Sequence, residues 1–280
     1  MAKSLPLARQ NADNIHIVMM CPNPTMKLTE YFTAFLMLIS CQWASGDVIY
    51  LPDQVTPVLR IEGQILKRDV KDFESALEHL KLTGKKLHMN AVQLNSTGGM
   101  WYVGRTLGRL IRREKLNTFV APESECSSTC VALLIGGVVR MAYGKVKVHP
   151  VNLLRGDFTS GDLKEFLSEM DEEFASYIKE MGISTLLAEA SLHTPTWLNR
   201  TLTKDEKFSW GVHGTERVFE EEVIKVNAAK LNISAVELAD QYEQHFSVCD
   251  QVASRFEMTP HQCVMEKATV PPAKTKEDRH

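Results

Sequence analysis

The sequence predicts an α/β fold built on a parallel sheet. Three observations carry that reading: strand-like and helix-like apolar periods alternate from Val58 onward, helix-length segments separate the strands, and no apolar run reaches the roughly 20 residues of a membrane-spanning helix. The first strand is Val58–Ile65, where apolar residues alternate. A helix follows over Asp69–Leu82, with Val70, Phe73, Ala76, Leu77 and Leu80 on one stripe, Asp69 as its N-cap and Gly84 as its stop. Ala91–Leu94 is a second strand that runs into Asn95-Ser-Thr-Gly-Gly99, expected as a turn. Helix over about Met100–Glu114 and strand over Thr118–Ala121 complete a strand-helix-strand-helix-strand series, which implies parallel pairing with right-handed crossovers.

Past Pro122 come Glu125-Cys-Ser-Ser-Thr-Cys130, an apolar stretch over Val131–Gly137, and short strands near Val139–Tyr143 and Val146–His149. Leu163, Phe166, Leu167, Met170, Phe174, Tyr177 and Ile178 mark a long amphipathic helix over Ser160–Met181. The remainder reads as helical, with capping-box spacing at Thr203/Glu206 and Ser234/Glu237. The resulting division is a leader over 1–46, a polar linker over 47–57, an α/β domain over 58–212, a helical extension over 213–267 and a charged, proline-bearing tail over 268–280, expected to be disordered.

The chain has 280 residues, 44% apolar and 24% charged, as expected of a folded globular protein. Its 32 basic and 35 acidic side chains give a net charge of −3, which excludes nucleic-acid binding by bulk charge. Tyr31–Ile39 is uncharged, follows Met26-Lys27 and precedes Ala44-Ser-Gly46, the layout of a secretory signal peptide cut after Gly46. Translation from Met26 would put that leader at the N-terminus, and Leu38-Ile-Ser-Cys41 offers a second route, lipidation of Cys41. A buried N-terminal helix is the bland alternative. Either processed form implies a bacterial periplasmic or cell-envelope location. Cys126, Cys130, Cys249 and Cys263 remain after the leader, an even number compatible with disulfides whose pairing the spacing does not assign. Cys126 and Cys130 have the spacing of half a zinc site, but no matching pair follows at short range, so no metal is expected.

In an open parallel sheet, ligands bind at the carboxyl ends of the strands. Gly98 and Gly99 at one such end would let a substrate backbone approach, and their N–H groups could face it. Ser128 precedes an apolar helix, so the Thr129 N–H beside it could meet an oxyanion. A serine in that position needs a base, and His149 is the nearest downstream histidine. Each feature alone has an ordinary reading as turn, cap or surface residue.

Together, Leu94-Asn-Ser-Thr-Gly-Gly99, Gly104 with Leu107-Gly-Arg-Leu-Ile-Arg112, Cys126-Ser-Ser-Thr-Cys130 with Gly137, and His149-Pro150 resemble the Clp-protease and crotonase-type superfamily. The branch most similar is that of exported bacterial proteins like the proteolytic subunit of Clp protease. Ser160–Met181 resembles its protruding handle helix, and Leu202-Thr-Lys-Asp-Glu206 with Gly211-Val212 its closing segment, so the likeness spans about Val58–Val212. It implies a fold of repeated β-β-α units, a homo-oligomer assembled through the handle, a peptide or protein substrate, and no cofactor. By its motifs the nucleophile falls on Ser128 rather than Ser127, the base on His149, and the oxyanion donors on Gly98 or Gly99 and Thr129.

The third triad member falls on Asn199, where the family has an acid; in serine proteases the Asp-to-Asn change costs about 10⁴ in rate. Asp157 and Asp205 are substitutes, and Lys145 or Lys147 would supply a Ser-Lys dyad. Thr97 stands where the family has proline, and the Ser-to-His segment is shorter than usual. Cys126 and Cys130 bracket Ser128 and either brace its turn or fill a tight helix start, while His193 and His213 read as structural or surface residues. Against a serine peptidase stand a non-catalytic assembly or binding module on the same scaffold and an enzyme acting on coenzyme A thioesters.

Overall fold

The computed structural model describes residues 47–52, 54, 56–150, 160–195 and 198–268, with the side chains of 160–167 excluded. The leader, the tail after Ala268, Cys41 and Asp157 lie outside the described residues, and Ala268 itself ends a helix. The described chain forms the expected mixed α/β fold, a mostly parallel sheet with helices on both faces.

Strand β1 (Asp47–Leu51) pairs antiparallel with β2 (Val58–Ile65), so part of the expected linker is an edge strand. The reason is apolar: Val48 and Tyr50 pack against the main core, and Pro52 and Pro57 fall just outside the strands they would have interrupted. Helix α1 (Arg68–Thr83) follows. Asp69 is not its cap. It sits inside the first turn, fully buried, and its carboxylate accepts the Leu66 N–H at 2.8 Å; burial pushes its pKa up.

Strand β3 (Ala91–Gly99) is longer than expected and carries the two glycines inside its ladder to β2, where Gln64 pairs with Gly98 and Ile65 with Gly99. Helix α2 (Trp101–Arg113), β4 (Asn117–Val120), β5 (Glu125–Ser127) and α3 (Cys130–Gly136) come next, then β6 (Val139–Ala142) and β7 (Lys145–Val148). Strand-strand-helix units therefore recur, with β3 serving as two strands in one. It pairs with β4 at residues 91–93 and with β5 at Ser96, so the parallel sheet forks there. The Asn95 side chain pins the fork by accepting the Glu125 N–H at 3.2 Å.

On one face of the sheet, α1, α2 and α3 bury the main core around Phe73, Leu107, Leu133 and Ile135. Helices α2 and α3 meet backbone to backbone because Gly108 and Gly136 have no Cβ; one built on Gly136 would lie 2.8 Å from the Gly108 Cα. Arg112 donates to the Gly136 and Ile135 carbonyls, a cation at the negative end of α3. Helix α4 (Ser160–Glu180) is tied to α3 by the Tyr177 hydroxyl, which donates to the Ala132 carbonyl at 2.8 Å, and to α2 by the Arg109–Glu180 ion pair.

Helix α5 (Leu186–Leu192), β8 (Arg200–Thr201) and α6 (Lys204–Ser209) close the domain, with both bonds of the Thr203/Glu206 capping box formed. The extension is not separate from the sheet. β9 (Gly214–Thr215) pairs with β6, and α7 (Arg217–Leu231), α8 (Ala235–Ser254) and α9 (Pro260–Ala268) follow. Their Phe219, Ala253 and the nearby Phe256 cover the opposite sheet face over Phe119 and Met141. His213, buried, donates from Nε2 to Asp250 at 2.9 Å and accepts the Ala142 N–H at Nδ1, while the Tyr143 hydroxyl donates to the same carboxylate at 2.7 Å. Burial alone would raise Asp250, but the His213 and Tyr143 hydrogen bonds outweigh it and hold the carboxyl below its usual range. Disulfides join Cys126 to Cys130 and Cys249 to Cys263, which settles the pairing that spacing left open.

Candidate active site

Ser128 stands on the turn between β5 and α3 with φ +56°, a left-handed conformation that costs a non-glycine residue about 1–2 kcal/mol. Strand-to-helix turns of this kind push a serine hydroxyl out of the chain path. Ser127 is 3% exposed, so Ser128, half-buried, is the serine of the pair that reaches solvent. Its N–H donates to the Lys147 carbonyl at 3.0 Å, which ties the turn to β7 two residues before His149. Ser128 and His149 thus lie at adjacent carboxyl ends of parallel strands.

The β3 glycines close the other side. A Cβ on Gly98 would come within 2.7 Å of the Ser128 Cβ and 3.1 Å of the Thr129 nitrogen. The Thr129 hydroxyl donates to the Gly99 carbonyl at 2.9 Å, and among the described residues no acceptor takes the Thr129 N–H. The Gly98 N–H is turned inward and donates to the Ser96 hydroxyl at 3.1 Å, which donates in turn to the Gly63 carbonyl. Gly98 therefore offers close approach while its amide is engaged by Ser96, and of the two glycines the sequence named as alternative oxyanion donors Gly99 is the one left for that role; both lie within the strand ladder and not in a turn.

His149 is half-buried and its Nδ1 lies 2.7 Å from the Pro150 carbonyl. A carbonyl only accepts, so Nδ1 carries the proton and the lone pair of the neutral ring is on Nε2, as a general base requires. Among the described residues no hydrogen bond yet joins this ring to Ser128. Nor does one join it to Asn199, which is exposed one position beyond the last β7–β8 pair, Val148 opposite Arg200. Asp205 is exposed in the first turn of α6. Lys145 is exposed, and Lys147 is committed to Glu125 at 2.5 Å, so neither forms a dyad with Ser128. His193 is exposed and its Nδ1 meets the Glu189 carbonyl, and His213 belongs to the buried Asp250 cluster.

The structure thus brings Ser128, Thr129, Gly98 and Gly99 together, sets His149 on the neighbouring strand end, and leaves Asn199 exposed across from it at the end of the β7–β8 ladder, with no hydrogen bond to the ring among the described residues. Sequence reasoning missed the Pro150 carbonyl and Ser96; main-chain acceptors have no residue signature, although His-Pro itself was visible. No family model and no curated protein matches the chain. Among solved structures it is similar to a single-substitution mutant of the 1510-N membrane-bound stomatin-specific protease, at 16% identity and TM-score 0.41 over 55% of this chain and 75% of that one. It is also similar to a single-substitution mutant of ClpP1 from Listeria monocytogenes, at 19% identity and TM-score 0.42 over 55% of this chain and 86% of that one. Overlaps this loose assign no residue and no activity to this chain.

Proposed function

We propose that this chain is a serine peptidase of Clp-protease-like type, with Ser128 as nucleophile and His149 as general base. The observation that carries the reading is Ser128 itself: a half-exposed serine held at positive φ on a strand-to-helix turn, with a glycine main chain against its back and an unused amide beside it. In this mechanism Nε2 of His149 takes the Ser128 proton as the oxygen attacks a peptide carbonyl, then returns it to the leaving amine. The Thr129 N–H, with the Gly99 main chain that the Thr129 side chain holds, receives the oxyanion. Among the described residues the ring is oriented by a neutral carbonyl and no carboxylate bonds to it, an arrangement that stabilises the imidazolium less and makes turnover slow. The absent Ser128–His149 hydrogen bond forms on substrate binding, since catalytic contacts in free enzymes are often loose.

Export to a bacterial periplasm or envelope is part of the proposal. It is supported by two disulfides that use all four cysteines beyond the leader, which suits an oxidising compartment. Homo-oligomerisation through α4 and a peptide or protein substrate are proposed with it.

A second reading, a non-catalytic assembly module, is favoured by the exposed position of Asn199. A fluorophosphonate probe decides between them. Labelling that survives Ser127→Ala and is lost in Ser128→Ala supports the peptidase, whereas an unlabelled Ser128 in folded, full-length protein supports the module. Sequencing the mature N-terminus tests export.

A further inference from the structure

His149 leaves the sheet where the antiparallel β7–β8 ladder ends, at Val148 opposite Arg200, so no strand takes its carbonyl. The next residue is proline, which has no N–H and keeps the preceding residue extended. The His149 carbonyl is met instead by the Ser191 hydroxyl, which donates to it at 2.6 Å. Ser191 is 5% exposed at the end of α5, a helix fixed in the main core by Leu187, Ala188 and Ala190. Two linked contacts therefore hold the ring: Ser191 fixes the peptide plane between His149 and Pro150, and the Pro150 carbonyl faces Nδ1 at 2.7 Å.

We propose that Ser191 is a positioning residue for His149. Its hydroxyl locks the peptide plane, the fixed φ of proline then places the Pro150 carbonyl carbon, and the carbonyl oxygen 2.7 Å from the ring keeps the proton on Nδ1. Nε2 is then left with its lone pair. A carboxylate in a triad does the same orienting work by charge; here a hydroxyl on a core helix does it through the main chain. The catalytic value of this arrangement rests on the peptidase reading, but the tautomer it enforces does not.

The experiment uses the full chain labelled with ¹⁵N-histidine, the His149 signals being assigned by their loss in His149→Gln. The wild type is expected to show the Nδ1–H tautomer. In Ser191→Ala the ring is expected to move toward the Nε2–H form that an unheld imidazole favours in water, and the rate of fluorophosphonate labelling of Ser128 to fall about five- to tenfold, the loss of one hydrogen bond. Ser191→Thr, which keeps the hydroxyl, restores both. An unchanged tautomer in folded Ser191→Ala overturns the proposal. If Ser191→Ala does not fold, Ser191→Cys, near in size but a weak donor, gives the same comparison. Absent labelling in the wild type would sink the peptidase while the tautomer still decides the role of Ser191.

Discussion

Gly98 and Ser128 stand back to back, a hydrogen atom on one occupying the only space that separates it from the Cβ of the other. A methyl carbon at Gly98 would sit 2.7 Å from the Ser128 Cβ and 2.9 Å from the Ser127 carbonyl, and Gly98 itself has φ +103°. The substitution Gly98→Ala is therefore expected to cost about 2–4 kcal/mol from backbone strain and overpacking. Urea denaturation measures that loss. Displacement of the Ser128 turn by a fraction of an ångström should also slow fluorophosphonate labelling about 100-fold. Labelling at the wild-type rate would show that the glycine does not seat the serine.

The two disulfides close rings of different size, since their cysteines are 4 and 14 residues apart. Chain entropy gives the smaller ring about 2 kcal/mol and the larger about 3 kcal/mol. Cys249→Ala/Cys263→Ala should thus lower the melting temperature more than Cys126→Ala/Cys130→Ala. Labelling of Ser128 should follow the opposite order, because only the smaller ring encloses it. Calorimetry with probe kinetics on both double variants checks the inversion.

Stability should depend on pH through His261, which is 8% exposed beside Tyr242 and Thr215 and pushed down to about 4 by burial. The unfolded ring titrates near 6.5, so between that value and about 4 the unfolded state binds the extra proton. Stability is complete above the unfolded value and falls as pH drops through this window, by about 2 kcal/mol at pH 5. Asp250 does not contribute there: its folded pKa is lowered, so its share is lost only below the ordinary carboxylate range. His261→Gln should flatten the melting temperature between pH 7 and pH 5, and an unaltered slope would reject the assignment.

Asp250 accepts from both His213 and Tyr143, and its removal leaves a buried and a half-buried donor unmet. Asp250→Ala is expected to cost about 3 kcal/mol, against about 1 kcal/mol for Tyr143→Phe, which removes a donor and leaves no group unpaired. Urea midpoints of the two variants measure the difference. Equal losses would mean that the carboxylate is not the hub of the cluster.

Much of this architecture was legible because apolar period reports burial directly: Phe73, Ala76, Leu77 and Leu80 formed one stripe in the sequence and one buried face in the fold. The order of strands and helices then set the parallel sheet. What escaped was decided by contacts between distant residues. Nothing near Asp69 announces that its carboxylate turns back to Leu66, and nothing near Gly98 announces that Ser96 claims its amide. The fork of β3 between β4 and β5 was hidden for the same reason, since one continuous strand looks alike whether it has one neighbour or two. At the site, Ser128 and His149 could be chosen by motif, but the orientation of the ring depends on a helix 42 residues further on.

The helical extension makes the sheet unequal across its width. Phe119 and Met141 lie between the main core and the layer of Phe219, Ala253 and Phe256, whereas Arg60, Gln93, Lys145 and Lys147 on neighbouring strands meet water. Amide protons of β4 and β6 are thereby shielded from solvent on two sides and should be among the last to exchange for deuterium. Those of β7, next to the short edge strand β8 that ends before His149, open sooner, so the part of the sheet that carries the imidazole can breathe while its far half stays closed.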